Sequence, residues 1–214
     1  MKHQLHRGVL GPCPTIPITA DEFNELRYAR QSLFVLLGIE EKFRMLVENY
    51  VEYEHEILGL ALEHMTRHTT DWSSMEDAKA LINRRLANLL CIARLYIDQV
   101  KHDLAGIYGA DHEVPSSVVR ALSEQYDHLL GYRVMETLRN SLQHRSLPVT
   151  GLRYPAGWDE RRNPATVRHL VTPMISIEEL RNNGAVKPSV IDELARGGPA
   201  ARVKHFETPG MGVY

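Results

Sequence analysis

Cysteine is almost missing from this chain: Cys13 and Cys91 are the only two, and they lie far apart. Such a pair builds neither a disulfide framework nor a cysteine-based zinc site. It suits a reducing compartment, so a cytoplasmic protein is expected. Long apolar runs are lacking too. The run Leu33 to Leu37 falls far short of the roughly 20 residues that cross a bilayer. The opening Met1-Lys2-His3-Gln4-Leu5-His6-Arg7 leads into glycine and proline rather than an apolar stretch, so no secretory signal is expected. No P-loop, GxGxxG, Ser-His-Asp set or CxxC occurs, which removes the common nucleotide, hydrolase and redox signatures. Neither an internal repeat nor a low-complexity block is found.

What is present is an ordinary globular composition, 43% hydrophobic and 24% charged over 214 residues, enough to bury a real core. The net charge of −2 argues against a blanket nucleic-acid binder. Its distribution is uneven. From Asp21 to Thr66 ten acids stand against four bases, whereas from Gly131 to Arg168 seven arginines stand against three acids. An arginine-rich segment on an otherwise acidic chain faces either an anionic ligand or the protein's own acidic helices.

Apolar spacing predicts three long helical elements. Residues 1–18, with Gly8, Gly11, Pro12, Pro14 and Pro17, read as an irregular arm. Thr19 or Asp21 then caps a helix to about Met65, with Phe23, Leu26, Leu33, Leu37, Phe43, Leu46, Tyr50, Ile57 and Leu60 at helical intervals. One straight helix over 21–66 would be roughly 70 Å long, so a kink near Gly38 or a division into two helices is considered. Ser73 or Ser74 opens a second helix, ending near Gly109. Pro115 and Ser116 open a third region through Leu122, Val134, Leu138 and Leu142, with a bend at Gly131 and a stop at Pro148. The expected fold is therefore all-α, a bundle of long antiparallel helices over 19–148. Residues 149–214 form a small mixed appendage: a loop through 163 holding a buriable Trp158, then a strand within Val167 to Met174. A helix over 177–183 follows, boxed by Ser176 and Glu179 and stopped at Gly184. Another opens at Pro188-Ser189 and ends at Gly197-Gly198, before a tail from Pro199 to Tyr214.

The chemistry concentrates in Arg139-Asn140-Ser141-Leu142-Gln143-His144. Arg139 and His144 lie about 140° apart on a regular helix, but a distorted last turn before Pro148 lets them converge. Asn140 and His144 share a face, so Asn140 is placed to orient the imidazole. His144 carries an imidazole that suits a general base or acid; Arg139 offers a positive fork to a phosphate. RNA supplies its own nucleophile, the 2′-OH, so these two groups can cleave it without metal. The acid for the leaving oxygen would come from a twofold dimer joining two such helix ends. The alternative reading keeps the same bundle as a non-catalytic interaction module, with Arg139 paired to an acid such as Glu136 and His144 packed at a helix C-terminus. A third treats the arginine cluster as a small-molecule or nucleotide site.

The stretch Leu138-Arg139-Asn140-Ser141-Leu142-Gln143-His144-Arg145-Ser146-Leu147-Pro148 resembles the signature of the HEPN superfamily. The segments Ile39-Glu40-Glu41-Lys42-Phe43 and Asn83-Arg84-Arg85-Leu86 extend the resemblance over roughly residues 21–150. It implies an all-helical dimer, many of whose relatives are metal-independent ribonucleases of toxin–antitoxin and antiphage systems. Carried over, Arg139 and His144 are the catalytic pair and Asn140 their polar neighbour, with no cofactor and with RNA and an antitoxin protein as partners. Some such toxins carry a tyrosine two residues after the histidine, where an antitoxin transfers a nucleotide. This chain has Ser146 there.

Arg133, Arg145, Arg84 and Arg85 are the expected grips on RNA, with Arg94 a further one; the second-helix arginines also read as a solvated face. His64 and His68, four apart, lack a third metal ligand, so no metal is expected. Asp98 and His102, also four apart, read as an exposed helix pair or an acid–base pair.

Overall fold

The computed structural model describes residues 3–8, 11–67, 71–144, 146–159, 166–182 and 187–196. Most of these are helical. The first helix, α1, runs unbroken from Ala20 to Arg67 through Gly38, so neither a division into two helices nor an interruption occurs there. A capping box starts it: the Glu22 N–H donates to Thr19 Oγ1 at 3.2 Å, and the Thr19 N–H donates back to Glu22 at 2.7 Å.

Helix α2, Trp72–Tyr108, begins earlier than Ser73 or Ser74 because Asp71 is its cap, accepting from the Ser74 N–H at 3.0 Å. The Ser74 hydroxyl and backbone N–H together hold the Asp71 carboxyl below the usual range. Its contribution to stability is thus complete above the unfolded carboxylate's pKa and is lost as pH falls through the lower folded value. Asp71→Asn keeps an acceptor without the charge. The gap in thermal midpoint between wild type and Asp71→Asn is expected to shrink on acidification below the carboxylate range; a gap independent of pH would contradict it.

Helices α1 and α2 lie antiparallel. Tyr28 donates to the Ile107 carbonyl, Lys42 pairs with Asp103, and Arg85 pairs with both Glu52 and Glu56, so rising numbers on one helix meet falling numbers on the other. The expected third element is two helices. Helix α3, Glu113–His128, is capped by His112 rather than Ser116, leaving Pro115 in the first turn, where its missing N–H costs no helical bond. Helix α4, Leu130–His144, follows an extended Leu129, so the break precedes Gly131. The Arg133 guanidinium donates to the Tyr126 and Asp127 carbonyls, a cation satisfying the open C-terminal end of α3.

Beyond α4 the chain is more regular than its glycines and prolines suggest. Strands β3 (Gly151–Arg153) and β4 (Ala156–Asp159) occupy the expected loop, and the single strand expected within 167–174 is split into β5 (Thr166–His169) and β6 (Thr172–Met174). Strand β4 pairs with β5, and β3 with β6, both antiparallel. This is one nested hairpin interrupted at Pro155, which has no N–H to give a ladder; its carbonyl still accepts from Leu170 at 3.0 Å. Trp158 is not buried: it is 71% exposed, opposite an exposed Val167 on a two-stranded ladder with nothing described above it. Near the other terminus, β1 (His3–Leu5) pairs with β2 (Ile16–Ile18), so the arm is partly ordered as a ladder. Helix α5, Ile177–Asn182, has its Glu179 N–H on Ser176 Oγ at 3.1 Å, and α6 is Pro188–Arg196. The expected stops at Gly184 and Gly197-Gly198 and the tail from Pro199 lie outside the described residues.

One core joins the whole. Ile82 and Leu138 are completely buried, Leu86 and Leu90 nearly so, and Tyr53 and Ile57 of α1 meet them. Val149, Val171, Ile175, Leu180, Val190 and Ile191 belong to the same cluster, so the residues after 148 cover the apolar side of the helices rather than standing apart. Among the described residues no helix is long and apolar enough to cross a membrane.

Candidate active site at the end of α4

Helix α4 carries a sharp division of faces. Val134, Thr137, Leu138 and Ser141 point into the core, Leu138 fully buried and Ser141 1% exposed. Arg139 and Asn140 are thereby held at the margin, and Gln143 and His144 emerge into solvent at the last turn. That turn is widened: the Ser146 N–H reaches back to the Ser141 carbonyl at 3.3 Å, five residues away instead of four.

Arg139 is half-buried. Its Nη1 donates to Asn140 Oδ1 at 3.1 Å, while its Nε is buried without a hydrogen-bond partner among the described residues. Asn140 therefore engages Arg139, where sequence spacing had assigned it to His144. No acid pairs with Arg139 among the described residues. Glu136, the partner expected if the arginine were structural, is taken by Arg94 at 2.8 Å. A guanidinium held by a neutral amide keeps its full charge for an incoming anion, and an unmet buried N–H is a donor without a bond.

The end of this helix is fixed by a residue that the sequence names only within the resemblance and to which it assigns no role. Asn83 of α2 is 2% exposed and bonds Val149 twice, donating to its carbonyl at 2.8 Å and accepting from its N–H at 2.9 Å. An amide side chain mimics a strand edge here, tying the chain just past Pro148 to α2. An asparagine among the apolar positions of α2, between Ile82 and Leu86, was the available signal.

The expected RNA grips divide. Arg84 is exposed on α2. Arg85 is committed to Glu52 and Glu56 at 2.6 and 2.8 Å, and Arg133 to Glu193 at 2.7 Å as well as to the end of α3. Arg94 holds Asp98 at 2.8 Å in addition to Glu136, so Asp98 has an arginine rather than His102 as its described partner. Arg145 lies outside the described residues, as does His68. His64 stacks on Tyr154 with ring centroids 4.8 Å apart and lies 6.0 Å from His169. Among the described residues no group of three or more His, Cys, Asp or Glu is placed to hold a metal ion.

No family model, no curated protein and no solved structure matches the chain.

Proposed function

We propose that this protein is a metal-independent endoribonuclease of the HEPN type, working as a dimer in a toxin–antitoxin or antiphage setting. The observation that carries the reading is Arg139. It is half-buried, steadied by Asn140 and lacks an acidic partner among the described residues, five positions before an exposed His144. In the proposed reaction His144 takes the proton of an RNA 2′-OH. The 2′-oxygen attacks the adjacent phosphorus, Arg139 stabilises the charge gathering on the phosphorane, and the bond to the 5′-oxygen breaks. The departing oxygen receives its proton from the His144 of a second copy. The products are a 2′,3′-cyclic phosphate and a 5′-hydroxyl, so no water or metal enters the balance. Of the expected grips among the described residues, Arg84 is the one without an acidic partner to meet the RNA backbone, since Arg85 and Arg133 are held by the protein's own acids.

The test is incubation of the purified protein with mixed RNA in EDTA. Cleavage that persists, leaves cyclic phosphate ends and spares DNA is the expected result. A requirement for Mg²⁺ would overturn the mechanism. No cleavage of any RNA would turn the reading toward a non-catalytic interaction module.

A further inference from the structure

Helix α1 is apolar on two opposite sides. Tyr53 and Ile57 are buried against the core. At 100° per residue, Leu26, Leu33, Leu37, Val47, Val51 and Leu58 fall within one narrow stripe on the other side. These six side chains are 41–65% exposed. The stripe runs roughly 48 Å along the helix at 1.5 Å per residue. An isolated exposed leucine needs no explanation, but an aligned row of this length opposite the core face does. From Ala20 to Gln31 every residue of α1 is exposed, so among the described residues the start of the helix has little cover beyond His3 on Phe23 and Ile107 at Tyr28.

We propose that this stripe packs against the same stripe of a second copy, antiparallel about a twofold axis that passes between the two helices at the level midway between Glu40 and Arg44. Charge and pattern select that occupant and that direction. In antiparallel register Leu26 lies opposite Leu58, Leu33 opposite Val51, Leu37 opposite Val47, and Glu40 opposite Arg44. Each of these six apolar residues meets an apolar one, Leu62 beyond them falls opposite Glu22 at the rim, and the charged residues in the middle meet their opposites twice because the contact is isologous. A parallel pairing would instead set Arg44 on Arg44 and Glu40 on Glu40. Among the described residues of one chain Arg44 has only Glu48 as an acidic partner, at 3.6 Å, with both side chains largely exposed, so its fork is open to a second carboxylate. The start of α1 is then laid along the second copy's Leu58. The stripe faces away from the core side of α1 and contains none of the residues of the candidate active site, so the pairing does not rest on the ribonuclease reading.

Sedimentation equilibrium of the full chain at micromolar concentration tests it. Two copies are expected, or four where the His144 ends also meet. Leu33→Glu combined with Leu37→Glu should halve the mass while circular dichroism shows unchanged helix content, both positions being exposed. Glu40→Arg and Arg44→Glu should each weaken association at least tenfold, and the two together should restore it. A single-chain mass for the wild type, an unchanged mass for the double-leucine variant, or a charge-swapped chain no tighter than its single variants would each overturn the pairing. His144→Ala, inert as a nuclease, should retain the α1 contact, so failure of one reading is separable from failure of the other.

Discussion

His144→Ala is expected, on the proposed mechanism, to lower RNA cleavage on the order of 10²–10⁴-fold, because it removes the group assigned to move the proton. The fold should be untouched, since the side chain is exposed at the end of α4. Arg139→Ala should lose activity to a comparable degree, and Arg139→Lys should recover little, as an ammonium cannot reproduce the two-pronged contact of a guanidinium with phosphate. Asn140→Ala should have a milder effect that acts through Arg139, the group it bonds at 3.1 Å. Its loss should be greatest in the arginine-dependent part of catalysis and should vanish in the Arg139→Ala background. Should the chain arrest growth when expressed, either of the first two substitutions should relieve the arrest. Variants that merely melt earlier, from a parent that cuts nothing, would assign Arg139 and His144 to the architecture and remove the nuclease reading.

Asn83→Leu should be among the most damaging single changes to stability. The leucine fills similar space but strands the buried N–H and carbonyl of Val149, at roughly 1–3 kcal/mol for each group left without a partner. Urea unfolding is the measurement. The adjacent Arg84→Ala, at an exposed position, serves as the control and should stay within about 0.5 kcal/mol of wild type. Asn83→Asp retains an acceptor for the Val149 N–H but loses the donor and buries a charge, so it should rescue poorly at neutral pH and better in acid. A midpoint for Asn83→Leu equal to that of the control would show that the double bond to Val149 holds nothing together.

The helical architecture was legible in the sequence because long amphipathic elements repeat their signal many times; α1, α2 and the Ser176–Glu179 cap of α5 all follow from it. Its boundaries were less so. Asp71 and His112 cap where serines were expected, and the α3–α4 break sits at an extended Leu129, where Arg133, four residues on, reaches back to the carbonyls of α3. That reach is a tertiary fact no local pattern carries. The short strands after Pro148 were hidden for another reason. Three- and four-residue strands hold one or two alternations, and Pro155 and Pro173 speak against strand when read alone. At the candidate site, Arg139 and His144 could be named from spacing, but the partner of Asn140 could not, since one rotamer decides between Arg139 and His144.

The nested hairpin and last helices also set an order of assembly. Contacts between α1 and α2 join residues that follow one another around a single connection, so this pair can form as soon as both helices exist. The closure at the candidate site is different: Asn83 and Val149 lie 66 positions apart, and Val190 and Ile191 complete the same cluster from later still. A nascent chain that has reached only Pro148 holds Ile82 and Leu138 without the residues that cover them. The end of α4 is therefore among the last parts to become fixed during synthesis.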